Sequence, residues 1–299
     1  MDKVVKLIPI TKAYLWGGTY LKKYRKTDED VISESWELSI RKDNNVAVEG
    51  SNKPLNELLS DKDLGRNCKR FPYFPLLIKL IDARDNLSIQ VHPSDDYALK
   101  NENSFGKSEM WHIIDAEKDA GLYVGLNKDY SKEEIEEKLK DSTIEECLNF
   151  YKVKPGDTFI INPGTIHAIG KGVRLIEIQQ NSDLTYRLYD YLRKDKNGNY
   201  RELHIDKALK VIDYHKYENR PIKSDILADN QYFKVIRKSF DKELKISANE
   251  GSFLSFTFIE GNGLVDDIPF HEYDTFFLPN GKECLIKGHG VVIISGVNK

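Results

Sequence analysis

The sequence predicts a mainly β protein, built as antiparallel sandwiches or barrels in two units. Three observations carry this reading. Short apolar or alternating segments, punctuated by Gly, Pro, Asn and Asp, recur through the 299 residues without regular helices between them. Aromatics reach 11%, with 16 Tyr and 13 Phe, side chains that suit a pleated, half-buried surface. The helical pattern is confined to 131–149 and 204–214.

Taken in order, strands are predicted at 36–39 and 45–48, then at 76–83 inside the greasy run FPLLIKLI. The next, LSIQVH at 87–92, alternates with a period of two and stops at Pro93. Asp95 and Asp96 after it read as surface or helix-start carboxylates. Strands follow at 109–115 and 121–126. The helix at 131–149 opens on Ser131 and Glu134, a capping-box spacing, and sets Ile135 and Leu139 on one face. Its run EEIEEK is the solvated side. Strands resume at 158–161, 166–169 and 173–180, and HIDKALKVIDY at 204–214 makes a second amphipathic helix.

The polar stretch 215–225, HKYENRPIKSD, reads as a linker. Beyond it strands are predicted at 232–240, 244–248, 253–259, 275–278, 284–287 and 291–295, with GNG at 261–263 and GHG at 288–290 as turns. DTFFLPNG at 274–281 echoes DTFIINPG at 157–164, each a strand running into a Pro/Gly turn. The first copy continues into TIHAI and the second into KECLI, so only the first keeps a potential ligand. The units are drawn as 1–218 and 219–299, the second smaller and without metal.

Composition excludes several classes of function. Lys and Arg total 45 against 48 Asp and Glu, a net charge of −3 that argues against nucleic-acid or anionic-membrane partners. With 31% charged and 40% apolar residues, the composition is neither disordered nor membrane-like. Cys68, Cys147 and Cys284 are odd in number and without a CxxC, which fits a reduced cytoplasm. The start, MDKVVKLIPI, is too charged for a signal peptide. No GxGxxG follows a strand, and neither a GxxxxGK[ST] loop nor a GxSxG elbow is present.

The chemistry concentrates in three segments. Along LSIQVH, Ser88, Gln90 and His92 share one face, and buried polar groups in a row need partners. In GKSEMWHIID, Lys107, Glu109 and Trp111 share a face, and TIHAI sets Thr165, His167 and Ile169 together. Gln90, His92, Glu109 and His167 can thus converge on an interior point. This N/O set is suited to zinc and tolerable for Mn, Fe, Co or Ni. His112 falls on the wrong face of its strand and is read as a packing or hydrogen-bonding histidine. His204, His215, His271 and His289 are read as non-ligands. Arg187 follows the polar turn QNSD; it either pairs with Asp183 or forks onto a substrate anion.

This combination resembles the type I phosphomannose isomerases in their shorter bacterial form. The likeness rests on WGG at 16–18, ESWELS at 34–39, IKLIDARDNLSIQVHPSDDYA at 78–98, GKSEMWHIID at 106–115 and the block 162–191. It implies a cupin-type architecture, with jelly-roll barrels and a small helical insertion. It also implies a zinc-dependent isomerase acting on the small sugar phosphates mannose 6-phosphate and fructose 6-phosphate, one Zn2+ per chain, without a protein partner. By the same resemblance Gln90, His92, Glu109 and His167 are the zinc set and Arg187 the catalytic arginine. Lys79, Ser88, Lys107, Glu177 and Asp183 line the pocket. The chain lacks room for the long helical domain of larger members.

Such an isomerisation moves a proton from C2 to C1 through a cis-enediol, and the charge developing on O1 and O2 needs an electrophile. Glu177, Lys107 and a zinc-bound hydroxide are all admissible as the base. Two other functions compete: a cupin oxygenase with iron in a His-rich facial set, and a non-catalytic sugar-phosphate-binding cupin.

Overall fold

The computed structural model describes residues 1–195, 197–249 and 251–298. It contains two antiparallel sheets that pack face to face, and a third laid against the outside of the first. The six-stranded sheet runs in the order Thr158–Ile161, Glu109–Ala116, Val173–Gln180, Leu76–Asp82, Glu34–Leu38, Ile10–Lys12. The five-stranded sheet runs Tyr186–Tyr189, Ile89–Val91, His167–Ile169, Gly121–Leu126, Leu148–Lys152. Ile81, Trp111, Ile113 and Leu175 of the former meet Leu122, Val124 and Ile169 of the latter in one apolar cluster.

The six-stranded sheet is buried on both faces, which explains why its strands read as continuous apolar runs. Ile78, Leu80, Met110, Ile176 and Ile178 point outward and pack on Phe233 and Phe277 of the third sheet and on Phe253 beside it. Their sequence neighbours Lys79, Trp111 and Glu177 therefore point inward. A polar residue between two apolar ones, as Lys79 between Ile78 and Leu80, is the trace of a strand whose inner face is reserved for chemistry.

The third, eight-stranded sheet draws six strands from 226 onward and two, Val5–Ile8 and Ala47–Val48, from the N-terminal residues. Val5 and Lys6 pair with Phe277 and Phe276, tying the start of the chain to its end.

Several predicted elements need correction. The helix read over 131–149 ends at Lys140: Ser142 takes a left-handed φ of 57°, a 3-10 turn covers Ile144–Cys147, and Leu148–Lys152 is a strand. Its start is as read, with Ser131 Oγ accepting from Glu134 N at 3.1 Å and Ser131 N donating to Glu134 Oε2 at 2.7 Å. The 204–214 helix shrinks to Ile205–Ala208 followed by turns, and Ser94 caps a helix, Asp95–Glu102, that Asp95 and Asp96 open. GNG and GHG are not turns. They lie inside long strands, Leu254–Val265 and Glu283–Val297, in register Gly261↔Gly290 and Gly263↔Gly288. A Cβ on Gly261 or Gly290 would strike the carbonyl oxygen of His289 or Glu260. Glycine is needed there for the close approach of two backbones, and so the predicted 284–287 and 291–295 strands are one. Among the described residues no helix is long and apolar enough to cross a membrane.

Candidate active site

Strand register brings the predicted residues together in two facing rows. On the six-stranded sheet Trp36, Lys79, Glu177 and Trp111 are directly opposite one another on adjacent strands. On the five-stranded sheet Arg187 pairs with Gln90, and Gln90 with His167. Paired residues across a ladder share a face, so each row projects a line of side chains into the space between the sheets. His92 follows the end of its strand, and Glu109 begins the Glu109–Ala116 strand.

At the floor of this space, ligand atoms of His92, Glu109 and His167 lie within 4.8 Å of one another, with all three side chains buried. His92 Nε2 is 3.2 Å from Glu109 Oε1, and His167 Nε2 is 3.8 Å from Glu109 Oε2. The outer nitrogen of each ring fixes its orientation: His92 Nδ1 donates to the Leu184 carbonyl at 3.0 Å, and His167 Nδ1 to that of Thr165 at 2.8 Å. Both Nε2 lone pairs are therefore turned to the shared point, where the Lys107 ammonium stands 3.3 Å from His92 Nε2, and this is the ring orientation a metal-binding histidine requires. The Gln90 amide reaches His167 Nε2 at 3.4 Å, and a half-turn of the amide presents Oε1 instead.

Electrostatics agree with a ligand set. Burial, and then the Lys107 ammonium, push the His92 imidazole down to about 4; burial lowers His167 as well. Burial opposes ionisation of Glu109, but Lys107, His92 and His167 outweigh it and hold the carboxyl well below its usual range. Neutral imidazoles and an ionised carboxylate are the forms that bind a metal. Neither Glu109 oxygen accepts a well-formed hydrogen bond, although the Lys107 ammonium touches Oε1. Two buried carboxylate oxygens without proper donors are costly unless a cation takes them. The residues fit a divalent metal.

Above this floor opens a pocket of about 310 Å³, lined among others by Lys79, Ser88, Gln90, Lys107, Glu177, Asp183 and Arg187. Lys79 Nζ lies 3.1 Å from Glu177 Oε1, and Trp111 Nε1 donates to Glu177 Oε2 at 2.9 Å. Burial works against the Lys79 ammonium, but Glu177, Glu34 and Glu109 outweigh it and raise its pKa. Arg187 does not pair with Asp183. Its Nε donates to Ser88 Oγ at 3.3 Å and its Nη1 to the Glu202 carbonyl at 2.7 Å, while Asp183 pairs with Arg41 at 2.8 Å on the rim. His112, on the other face, bonds Thr158 Oγ1 at 2.7 Å. A larger cavity of about 640 Å³ runs along the linker residues Tyr217–Arg220 and holds none of these converging groups.

The pocket wall also contains Tyr14, Glu34, Trp36 and Arg201, to which sequence reasoning gave no role. Glu34 and Trp36 share a strand face in ESWELS, a signal that parity alone offers. Nothing in the sequence brings Arg201 back to Arg187.

Residues 4–104 match the family model described as phosphomannose isomerase type I, catalytic domain. Over 306 residues, 96% of either chain, the protein is 36% identical to the mannose-6-phosphate isomerase ManA of Bacillus subtilis. The chain belongs to the type I phosphomannose isomerase family. It is also 34% identical to a mannose-6-phosphate isomerase of Streptococcus mutans, with 89% of each chain covered. Its fold superposes on the crystal structure of the Bacillus subtilis mannose 6-phosphate isomerase with a TM-score of 0.87, at 33% identity over 98% of this chain and 99% of that one. A putative mannosephosphate isomerase from Archaeoglobus fulgidus gives a TM-score of 0.85 at 26% identity, over 100% and 99%. The mainly β fold of several antiparallel sheets is the fold of these phosphomannose isomerases.

Proposed function

We propose that the protein interconverts D-mannose 6-phosphate and D-fructose 6-phosphate in the cytoplasm, through a cis-enediol, with one zinc ion held by Gln90, His92, Glu109 and His167. The observation that carries this reading is the pair of facing rows: a buried N/O ligand set beneath a pocket lined by a carboxylate and several cations. Bound there, zinc would supply Lewis acidity toward the sugar's O1 and O2, since one carboxylate among neutral ligands leaves the site a net positive charge.

The chain's own groups do the rest. The C2 proton needs an acceptor, and Glu177 and Lys107 both stand at the pocket. Lys107 is engaged with Glu109 and His92 at the floor, whereas the Glu177 carboxylate lines the pocket. We assign proton removal at C2 and its return at C1 to Glu177, whose buried carboxylate is oriented from both oxygens in the pocket wall. Lys79 and Trp111 hold that carboxylate in place. Lys107 donates to a substrate oxygen, and Ser88 and Asp183 bind hydroxyls. Arg187 stabilises developing anionic charge with a planar donor set. The three cysteines are free and buried, which supports a reducing compartment.

The test is a coupled assay for fructose 6-phosphate formed from mannose 6-phosphate. Turnover is expected, and Glu177→Gln should lower kcat by roughly 10²- to 10⁴-fold, the range for a lost general base. Binding of the sugar phosphate without turnover by the unaltered protein would overturn the reading in favour of a binding protein. Iron content with oxygen consumption would favour an oxygenase, though an amide ligand and the cation-lined pocket do not suit that chemistry.

A further inference from the structure

Arg201 arrives at the pocket by an unusual route. After the strand Tyr186–Tyr189 the chain leaves the sheet, and Lys194 and Tyr200 bridge the neck of the excursion. Asp190, at the root, is buried and gathers both flanking arginines. It accepts from Arg201 Nε at 2.8 Å and Nη2 at 2.9 Å, and it pairs with Arg193. The two-point bond between Asp190 and Arg201 fixes the plane of the guanidinium and not merely its charge. One edge of Arg201 is used in this way, and its Nη1 has no hydrogen-bond partner among the described residues. Arg187, on the same pocket wall, is held likewise by Ser88 and the Glu202 carbonyl, and its Nη2 is without a partner among the described residues.

Arg193 and Arg201 thus share one buried carboxylate, and Arg187, bonded to a hydroxyl and a carbonyl, has no carboxylate partner among the described residues, so positive charge gathers at this end of the pocket. Burial and then the nearby Arg201 both press on the Arg187 guanidinium and lower its pKa, outweighing the opposing pull of Asp190 and Glu202. Arg187 lies two strands from His167 in the row Arg187–Gln90–His167, about 10 Å at a strand spacing of about 4.8 Å. That is the scale on which an open-chain hexose separates its reacting carbons from a terminal phosphate.

We infer that Arg201, oriented by Asp190, is the second arm of a clamp in which it and Arg187 hold the substrate's phosphate dianion. The inference rests on the sugar-phosphate reading above and assigns it a residue. Arg201 is a binding residue and Asp190 a positioning residue, acting through the plane it imposes on Arg201.

The experiment is steady-state kinetics of the zinc-loaded enzyme on mannose 6-phosphate, with inorganic phosphate as competitor, for the unaltered chain, Arg201→Gln, Arg201→Lys and Asp190→Asn. Arg201→Gln should raise KM and the phosphate inhibition constant together, by roughly 10- to 100-fold, with kcat falling less than about threefold. Arg201→Lys should recover part of the loss, because a point charge still attracts the dianion. Asp190→Asn should raise both constants by a smaller factor. Unchanged KM and inhibition constant in Arg201→Gln would overturn the clamp, and so would a fall in kcat alone. Direct calorimetric binding of inorganic phosphate to the unaltered chain and to Arg201→Gln separates the two failures. Phosphate binding that depends on Arg201 in a protein without isomerase turnover sinks the isomerase reading and keeps the clamp. Turnover with phosphate binding indifferent to Arg201 does the reverse.

Discussion

In the six-stranded and the eight-stranded sheet alike an Asp-Thr-Phe run enters a short strand, Thr158–Ile161 in one and Thr275–Leu278 in the other. Each run then leaves through a glycine of positive φ, Gly164 at 87° and Gly281 at 77°. The frames are alike and their contents are not. Past Gly164 the chain reaches His167 and a polar interior of Gln90, His92, Lys79, Glu109 and Glu177. Past Gly281 it reaches Cys284 and an apolar core of Phe256, Phe258, Phe270, Phe276, Ile286 and Val292. There Phe258 stacks on Phe270 with ring centroids 3.6 Å apart, and Phe256 on Phe276 at 5.5 Å. Buried aromatics of this kind dominate the energetics of a core, whereas each buried ion costs several kcal/mol unless it is paired. The region around the second run is packed for stability, and the region around the first keeps charges that only chemistry explains.

Substitutions on the two sides should therefore separate activity from stability. The largest effect belongs to the ligands: His92→Ala or His167→Ala should release most of the zinc. Turnover should then fall by about 10³-fold or more, about 4 kcal/mol of transition-state stabilisation. Circular dichroism should stay unchanged, and stoichiometric zinc retained in either variant would remove that residue from the set. Next in size, Phe258→Ala should cost roughly 3–5 kcal/mol in denaturant unfolding through the cavity it leaves. Its kcat in the folded protein should stay within about twofold, and a collapse of kcat without loss of stability would break the comparison. Arg187→Lys should lower kcat by roughly 10²-fold, about 2.7 kcal/mol, with zinc content and melting temperature nearly unchanged. Near-normal kcat with a raised KM would confine Arg187 to the phosphate clamp, without a share in stabilising the developing charge. Smallest is Ser131→Ala, which removes the cap of the helix Lys132–Lys140 and should cost about 1 kcal/mol of stability. Any change in its turnover would show that the helical insertion reaches the site.

Much of the site was legible because alternation on a strand is rigid. Ser88, Gln90 and His92 on one face, and His112 opposed to Glu109 and Trp111, follow from a period of two alone. Cross-strand neighbours are not written locally. Trp36 stands beside Lys79, and Arg201 beside Arg187, through sheet register and a bridged excursion that no short window reveals. The helix at 131–149 was overextended because Ile144 and Cys147 continue the apolar period past the left-handed turn at Ser142. Glycine marks close backbone approach as readily as it marks a turn, so GNG and GHG do not distinguish the two in sequence.

The central claim is that catalysis belongs to a single metal centre at His92, Glu109 and His167, and metal titration of the full chain tests it most directly. The protein is stripped with a chelator, zinc is returned in measured steps, and the formation of fructose 6-phosphate is followed against bound metal. Activity should vanish on stripping and return linearly, reaching its plateau at one zinc per chain. Turnover that survives in the stripped protein, or a plateau that needs two tightly bound zincs, would contradict the account.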